Sequence, residues 1–196
     1  MKLKNGEIFL LLFTAAYILA FSIYYLSVKN YEFIWYIFVL VFFALVIGGT
    51  LRKTNFDYVI LWGLSICGLL HMSGGGIVIN GNVLYALEIF KFFNVGDTYI
   101  LKFDQIVHAF GFGVTTLVFW HLLKGNLNKN YSRGLMYIIV FAAATGAGAL
   151  NEIVEFLAAV FIPSTGVGGY YNNSLDLVFN AIGSLIALTY IHISKR

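Results

Sequence analysis

The chain has 196 residues, 60% of them hydrophobic and 11% charged, and a formal net charge of +3. A mean hydropathy of +0.86 places it far outside the range of soluble domains. Lysines and arginines scattered over the turns between apolar runs exclude a nucleic-acid surface, and a single cysteine, Cys67, excludes an internal disulfide framework.

From the amino terminus, MKLKNGEIFLLLFTAAYILAF opens like a signal peptide, but its apolar run continues to about Leu26. That is longer than a secretory h-region, so an uncleaved first span is expected. Further stretches follow, each long enough to cross about 30 Å of hydrocarbon. The six spans are placed near residues 7–27, 32–50, 57–72, 104–123, 134–162 and 175–193. None alternates with period two, and unpaired backbone is not tolerated in lipid, so all six are read as helices. The expected fold is all-α, a polytopic bundle of six transmembrane helices in one transmembrane domain over residues 1–196. Cys67, inside the third apolar run, reads as a small buried hydrophobe.

The positive-inside rule sets the expected orientation. Lys2, Lys4, Arg52, Lys53, Lys124, Lys129, Arg133, Lys195 and Arg196 fall on one side, against Lys29, Lys91 and Lys102 on the other. Both termini are therefore expected in the cytoplasm, in a multi-pass protein of the cytoplasmic membrane. The outer connection between spans three and four, Ser73 to Phe103, is long and contains SGGGIVINGN and VLYALEIFKFF. Loops of this length in a compact domain are usually functional, and the second piece could lie in the interface as a short helix. The last outer loop, PSTGVGGYYNN, carries no charge.

With this orientation the polar residues of spans three to six gather in the outer half of the membrane. Span three ends at His71, next to Gly74 and Gly75. Span four begins at Asp104 with His108 one turn deeper, about 6 Å by the helical rise. Span five carries Asn151, Glu152 and Glu155, the last about 12 Å below Pro163. Span six begins at Asp176 with Asn180 one turn deeper. His121 and His192 sit at the opposite ends. Asp104, His108, Gly111 and Thr115 follow the same i, i+4, i+7, i+11 stripe as Asp176, Asn180, Gly183 and Ala187, and Ala144, Gly148 and Glu152 align on span five. Small residues on these stripes predict close helix packing beneath a polar pocket. FDQIVHAFG and LDLVFNAIG also echo one another, a packing hint rather than proof of duplication.

Each of these residues has a plain structural role to set beside a functional one. Asp104 and Asp176 suit helix capping, His71 an interfacial position, His108 a neutral donor to Asp104, and Asn151 and Asn180 interhelical hydrogen bonding. Glu152 and Glu155 are harder to place so simply. A carboxylate deep in a membrane helix costs about 2.5–3.5 kcal/mol on insertion scales. Two at i, i+3 also repel, which calls for a metal ion, a protonated histidine or a shared proton. Imidazole with carboxylate suits zinc, manganese or iron, although no strong metal signature such as H-E-x-x-H is present. Ser73 beside His71 lacks any nucleophile-elbow motif.

Asp104-x-x-x-His108, Glu152-x-x-Glu155 and Asp176-x-x-x-Asn180-x-x-Gly183, in this order on consecutive spans, resemble the VanZ-like membrane proteins. His71-x-x-Gly74-Gly75 and the second glutamate are closer to the YjdF-like inner-membrane family. Together the resemblances cover roughly residues 71–190. Glu155 stands where VanZ-like proteins usually have glutamine, and the loop before the last span lacks both their arginine and the Asp/Trp-rich segment of the YjdF-like proteins. The VanZ-like resemblance, through a member associated with teicoplanin resistance, implies binding of a glycopeptide or lipid-linked ligand.

The leading expectation is a metal-assisted hydrolase or transferase acting on an outer-leaflet phospholipid or a lipid-linked envelope precursor. His71, Asp104, His108 and Asp176 would hold a divalent ion. Glu152 or Glu155 would be the general base toward water, and Asn151, Asn180, Gly74 and Gly75 would bind ligand. A non-catalytic binding protein is the alternative. An ion-coupled transporter ranks third, since no polar track leads from Glu152 to the cytoplasmic side.

Overall fold

The computed structural model describes residues 3–90, 94–95, 98–99, 101–127, 131–161 and 169–196. Six long helices account for most of it: α1 (Asn5–Ser27), α2 (Tyr31–Thr54), α3 (Tyr58–Gly76), α4 (Phe103–Asn126), α5 (Arg133–Phe161) and α6 (Tyr170–Ile193). All six contain stretches long and apolar enough to cross a membrane. The chain divides into two compact units, Met1–Leu84 and Tyr85–Arg196.

In the first unit, side-chain caps set the helix starts. The Asn30 side chain accepts from the Phe33 amide at 3.2 Å and Asp57 from the Ile60 amide at 3.0 Å, each satisfying a donor the helix leaves open. Asn55 ends α2 in a left-handed conformation (φ 49°) that asparagine tolerates. Hydrogen bonds join α1 to α3: Thr14 and Ser65 hydroxyls lie 2.6 Å apart, Tyr17 donates to the Ser65 carbonyl at 3.1 Å, and Tyr25 donates to the Met72 carbonyl.

The glycines after His71 correct the sequence expectation. Rather than opening the outer connection, Gly74, Gly75 and Gly76 continue α3 as its buried last turn. A side chain at Gly75 would overlap the Phe33 ring, and one at Gly76 would meet Tyr25 at 2.6 Å, so these positions admit the aromatic rings of α1 and α2. A helix so rich in glycine has low intrinsic propensity; here packing overrides it.

After α3 come a two-residue hairpin pairing β1 (Val78–Ile79) with β2 (Asn82–Val83), then a single 3-10 turn over Leu84–Ala86. Gly81 at φ 83° makes the hairpin turn. Within the second unit β3 (Asn94–Val95) pairs with β4 (Thr98–Tyr99), and Glu88 bridges Lys102. Of the segment expected as an interfacial helix, the described residues up to Phe90 form only the 3-10 turn over Leu84–Ala86 and no longer helix, and its last three residues, 91–93, lie outside the described residues. Lys91, Lys129, Pro163 and most of the PSTGVGG stretch lie outside the described residues.

The second unit is built on α4, α5 and α6. Pairs from Asp104 with Asn172, through His108 with Asn180, to Ala109 with Gly183 show that α4 and α6 run side by side in parallel. α5 runs antiparallel to them, with Glu152 beside Asn180 and Tyr137 beside His192. Glycines set the spacing. A Cβ on Gly183 would overlap the Ala109 backbone, one on Gly113 would lie 3.2 Å from the Gly183 carbonyl, and one on Gly148 would lie 2.8 Å from the Asn180 amide nitrogen. Membrane helices gain van der Waals contact in this way when small residues let the backbones approach.

Candidate functional site

The polar residues of the second unit form one packed network near one end of the three helices. Parallel α4 and α6 bring Asp104, Gln105 and His108 against Asn172, Asp176 and Asn180, and α5 brings in Glu152. Asp176 and Gln105 are fully buried, and Asn180, Glu152, Asn172 and His108 nearly so. Asp104 and Glu155 are half-buried at the margin, and Asn151 is exposed.

The upper part of the network is built from amides around two aspartates. Gln105 donates to Asp176 Oδ1 at 3.0 Å and, more weakly, to Asn172 Oδ1 at 3.4 Å. Asn172 donates from Nδ2 to Asp176 Oδ2 at 2.6 Å and to Asp104 Oδ2 at 2.9 Å. Gln105 is itself fixed, its oxygen accepting from the Lys102 amide at 2.7 Å. Buried carboxylates are tolerable in such company, because hydrogen bonds to the charged form replace part of the lost hydration.

The lower part centres on His108. Its Nδ1 lies 3.0 Å from Asn180 Oδ1 and 3.3 Å from Glu152 Oε1, while Nε2 lies 3.6 Å from Asp104 Oδ1. Asn180 decides the tautomer of a neutral ring. Its Nδ2 donates to Glu152 Oε1 at 3.2 Å, which turns its oxygen toward His108. An oxygen at that distance accepts, so Nδ1 carries the hydrogen and the Nε2 lone pair is left facing Asp104. Asn173 supports Glu152 from α6, donating to its Oε2 at 3.3 Å, and Asn151 donates to Glu155 Oε1 at 2.8 Å.

Two groups in this network have donor atoms close enough to share an ion: Asp104, His108 and Asp176; and His108, Glu152 and Glu155, all atoms of each group lying within 4.8 Å of one another. His108 is common to both. The tautomer set by Asn180 favours the first, since a metal-ligating imidazole typically presents one nitrogen to the ion and donates its other N–H to an oxygen. An imidazole with two carboxylates is a donor set that suits zinc, manganese or iron.

The structure thus brings together Asp104, His108, Glu152, Glu155, Asp176 and Asn180, with Asn151 at the edge. His71, Gly74 and Gly75 belong to the first unit. There His71 packs edge-on against Tyr36, ring centres 4.9 Å apart, and beside Phe33. Ser73 donates to the Leu69 carbonyl at 2.8 Å. His192 lies at the other end of α6, its Nδ1 3.4 Å from the Tyr137 hydroxyl.

Three members of the network are absent from the sequence reading: Gln105, Asn172 and Asn173. Asn172 was within reach of it, standing four residues before Asp176 and extending the stripe through Asn180 and Gly183 by one turn. Starting the last helix at 175 rather than at Tyr170 left it in a loop.

A family model described as "predicted membrane protein (DUF2238)" matches residues 9–196. No curated protein and no solved structure matches the chain.

Proposed function

The chain belongs to the DUF2238 family of predicted membrane proteins, and from that premise we propose a metal-assisted hydrolase or transferase acting on an outer-leaflet lipid or lipid-linked envelope precursor. The observation that carries the reading is the placement of His108, with Nδ1 3.0 Å from Asn180 Oδ1 and Nε2 3.6 Å from Asp104 Oδ1. Asp104, His108 and Asp176 would hold a divalent ion. That ion would act as a Lewis acid on a phosphoryl or carbonyl oxygen of the bound ester.

The remaining roles fall to side chains on the other face of the imidazole. Glu152, held by Asn180 and Asn173, is placed to take a proton from the attacking hydroxyl or water. Glu155 and Asn151, toward the margin of the same helix, would orient the head group. The reading uses residues of the second unit only. The likeness of these motifs to VanZ-like and YjdF-like proteins supports it as a shared site without supplying a reaction. With both termini in the cytoplasm, as the lysine and arginine distribution indicates, the network lies toward the outer leaflet.

The test is turnover. Protein in mild detergent, incubated with candidate phospholipids and lipid-linked precursors, should release a water-soluble head group in a chelator-sensitive manner. The product should disappear in Glu152→Gln. Binding of a lipid-linked ligand or glycopeptide without any product would instead favour the non-catalytic binding protein. Retained activity in a Glu152→Ala, Glu155→Ala double variant would remove the scheme.

A further inference from the structure

The end of the second unit away from the His108 network gathers cations and no acidic side chains. Lys124, Arg133, Lys195 and Arg196 lie there, whereas neither 105–151 nor 177–196 contains an aspartate or glutamate. Arg133, at the start of α5, is seated on aromatic rings. Trp120 of α4 stacks on Tyr137 of α5 with ring centres 5.1 Å apart. The Arg133 guanidinium carbon lies 5.8 Å from the first ring and 5.9 Å from the second. On the far side the Tyr137 hydroxyl lies 3.4 Å from His192 Nδ1 of α6.

This cluster has donors to spare. Arg133 gives one N–H to the main-chain oxygen of Arg196 at 2.9 Å, and its other guanidinium donors have no polar partner among the described residues. A planar fork of free donors matches the oxygens of a phosphate. A second donor stands in the same ring stack. Trp120 is only 3% exposed, and its indole N–H is the one buried side-chain polar atom without a partner among the described residues. Buried donors are rarely left so, and each instance calls for an acceptor. Arg133 and Trp120 touch, so one anion with several acceptor oxygens answers both. The surface beside them is apolar: Leu135 and Ile138 of α5 and Ile193 of α6 are more than half exposed. An anionic head above an apolar seam is the shape of a phospholipid.

We infer that the Arg133–Trp120–Tyr137 cluster binds the phosphate of an anionic phospholipid, at the end of the second unit opposite the His108 network. The site is separate from the proposed chemistry and does not depend on it. The phosphodiester accepts from the Arg133 fork, a further oxygen takes the indole N–H, and the acyl chains lie along Leu135 and Ile138. Basic pockets between membrane helices recognise anionic head groups in this way. A zwitterionic lipid is disfavoured because it carries its own cation into a cluster that already holds four.

The experiment is competitive lipid retention. Full-length protein in mild detergent is offered equal amounts of phosphatidylglycerol, phosphatidylethanolamine and phosphatidylcholine with matched chains, and bound lipid is counted by native mass spectrometry. Phosphatidylglycerol should exceed each of the others by about fivefold, the scale of a part-exposed ion pair. The preference should fall to near parity in Arg133→Gln. It should also fall in Arg133→Lys, which keeps the charge without the fork, and in Trp120→Phe, which keeps a ring without the N–H. Lys53→Gln, which removes one positive charge from the first unit, should leave it unchanged. Free glycerol 3-phosphate, which lacks acyl chains, should not displace the lipid at equal concentration. Equal retention of the three lipids, an equal loss in Lys53→Gln, displacement by glycerol 3-phosphate, or a preference unchanged in the Arg133 and Trp120 variants would each overturn the inference.

Discussion

His108 and Asn180 stand at matching positions of two sequence segments 72 residues apart, and they bond to each other at 3.0 Å. FDQIVHAFG and LDLVFNAIG are thus neighbours in space as well as echoes in sequence. Parallel packing of α4 and α6 puts like position against like, aspartate near aspartate through Asn172, and histidine on asparagine. The bond does more than join helices, because Asn180 is held on its other side by Glu152 and so fixes which nitrogen of His108 is free.

Removing that control should weaken metal binding without removing a ligand. Asn180→Ala leaves Nδ1 with no amide partner and frees the ring to turn toward Glu152. Outer-shell losses of this kind typically lower metal affinity about 10- to 100-fold. Competition with a chelator of known affinity would measure it, and unchanged affinity would argue that His108 is positioned by other contacts.

The glycine contacts predict a contrast in stability. Gly183→Ala forces a methyl group into the Ala109 backbone, which cannot yield as a side-chain tip would. Overpacking of this sort costs about 1–3 kcal/mol. Gly146→Ala, with open space around its Cβ position, should leave the midpoint unchanged. Thermal unfolding in one detergent reads both, and equal midpoints would contradict the close approach of α4 and α6.

Gln105 is expected to matter more than its place outside the motifs suggests. It donates to fully buried Asp176, so Gln105→Leu strips a partner from a carboxylate that has no water to replace it. A loss of about 1–3 kcal/mol is expected for an unsatisfied buried group, again read as an unfolding midpoint. A midpoint matching the wild type would mean that Asp176 is neutralised by other means.

Topology is open to a direct check. In a Cys67→Ala background, Gly81→Cys in the β1–β2 turn should react with a membrane-impermeant maleimide on intact cells. Ser194→Cys should react only after permeabilisation. The opposite pattern would place the network in the inner leaflet and reverse the assignment of substrate side.

Much of this was legible in the sequence for simple reasons. Span length follows from the thickness of hydrocarbon, and polar residues at i, i+4 on three apolar helices must share a face or be left in lipid. Asp104, His108, Glu152, Asp176 and Asn180 were all found that way. The helical course of SGGG was not, because propensity opposes it and only the fit of Phe33 and Tyr25 to the glycines explains it. Asn172 was hidden by a helix start set five residues late in a glycine- and tyrosine-rich stretch. Which nitrogen of His108 faces Asp104 depends on the direction of one amide, a fact of three dimensions that no spacing encodes.

The most direct test of the account is elemental analysis of tag-free protein purified in mild detergent, run beside His108→Ala and Asp176→Asn. The account predicts near-stoichiometric zinc, manganese or iron in the wild type and its loss in both variants. Well-folded wild-type protein that stays metal-free after reconstitution with each ion would contradict it, and Glu152, His108 and Asp104 would then be a hydrogen-bonded ionic network within a binding protein.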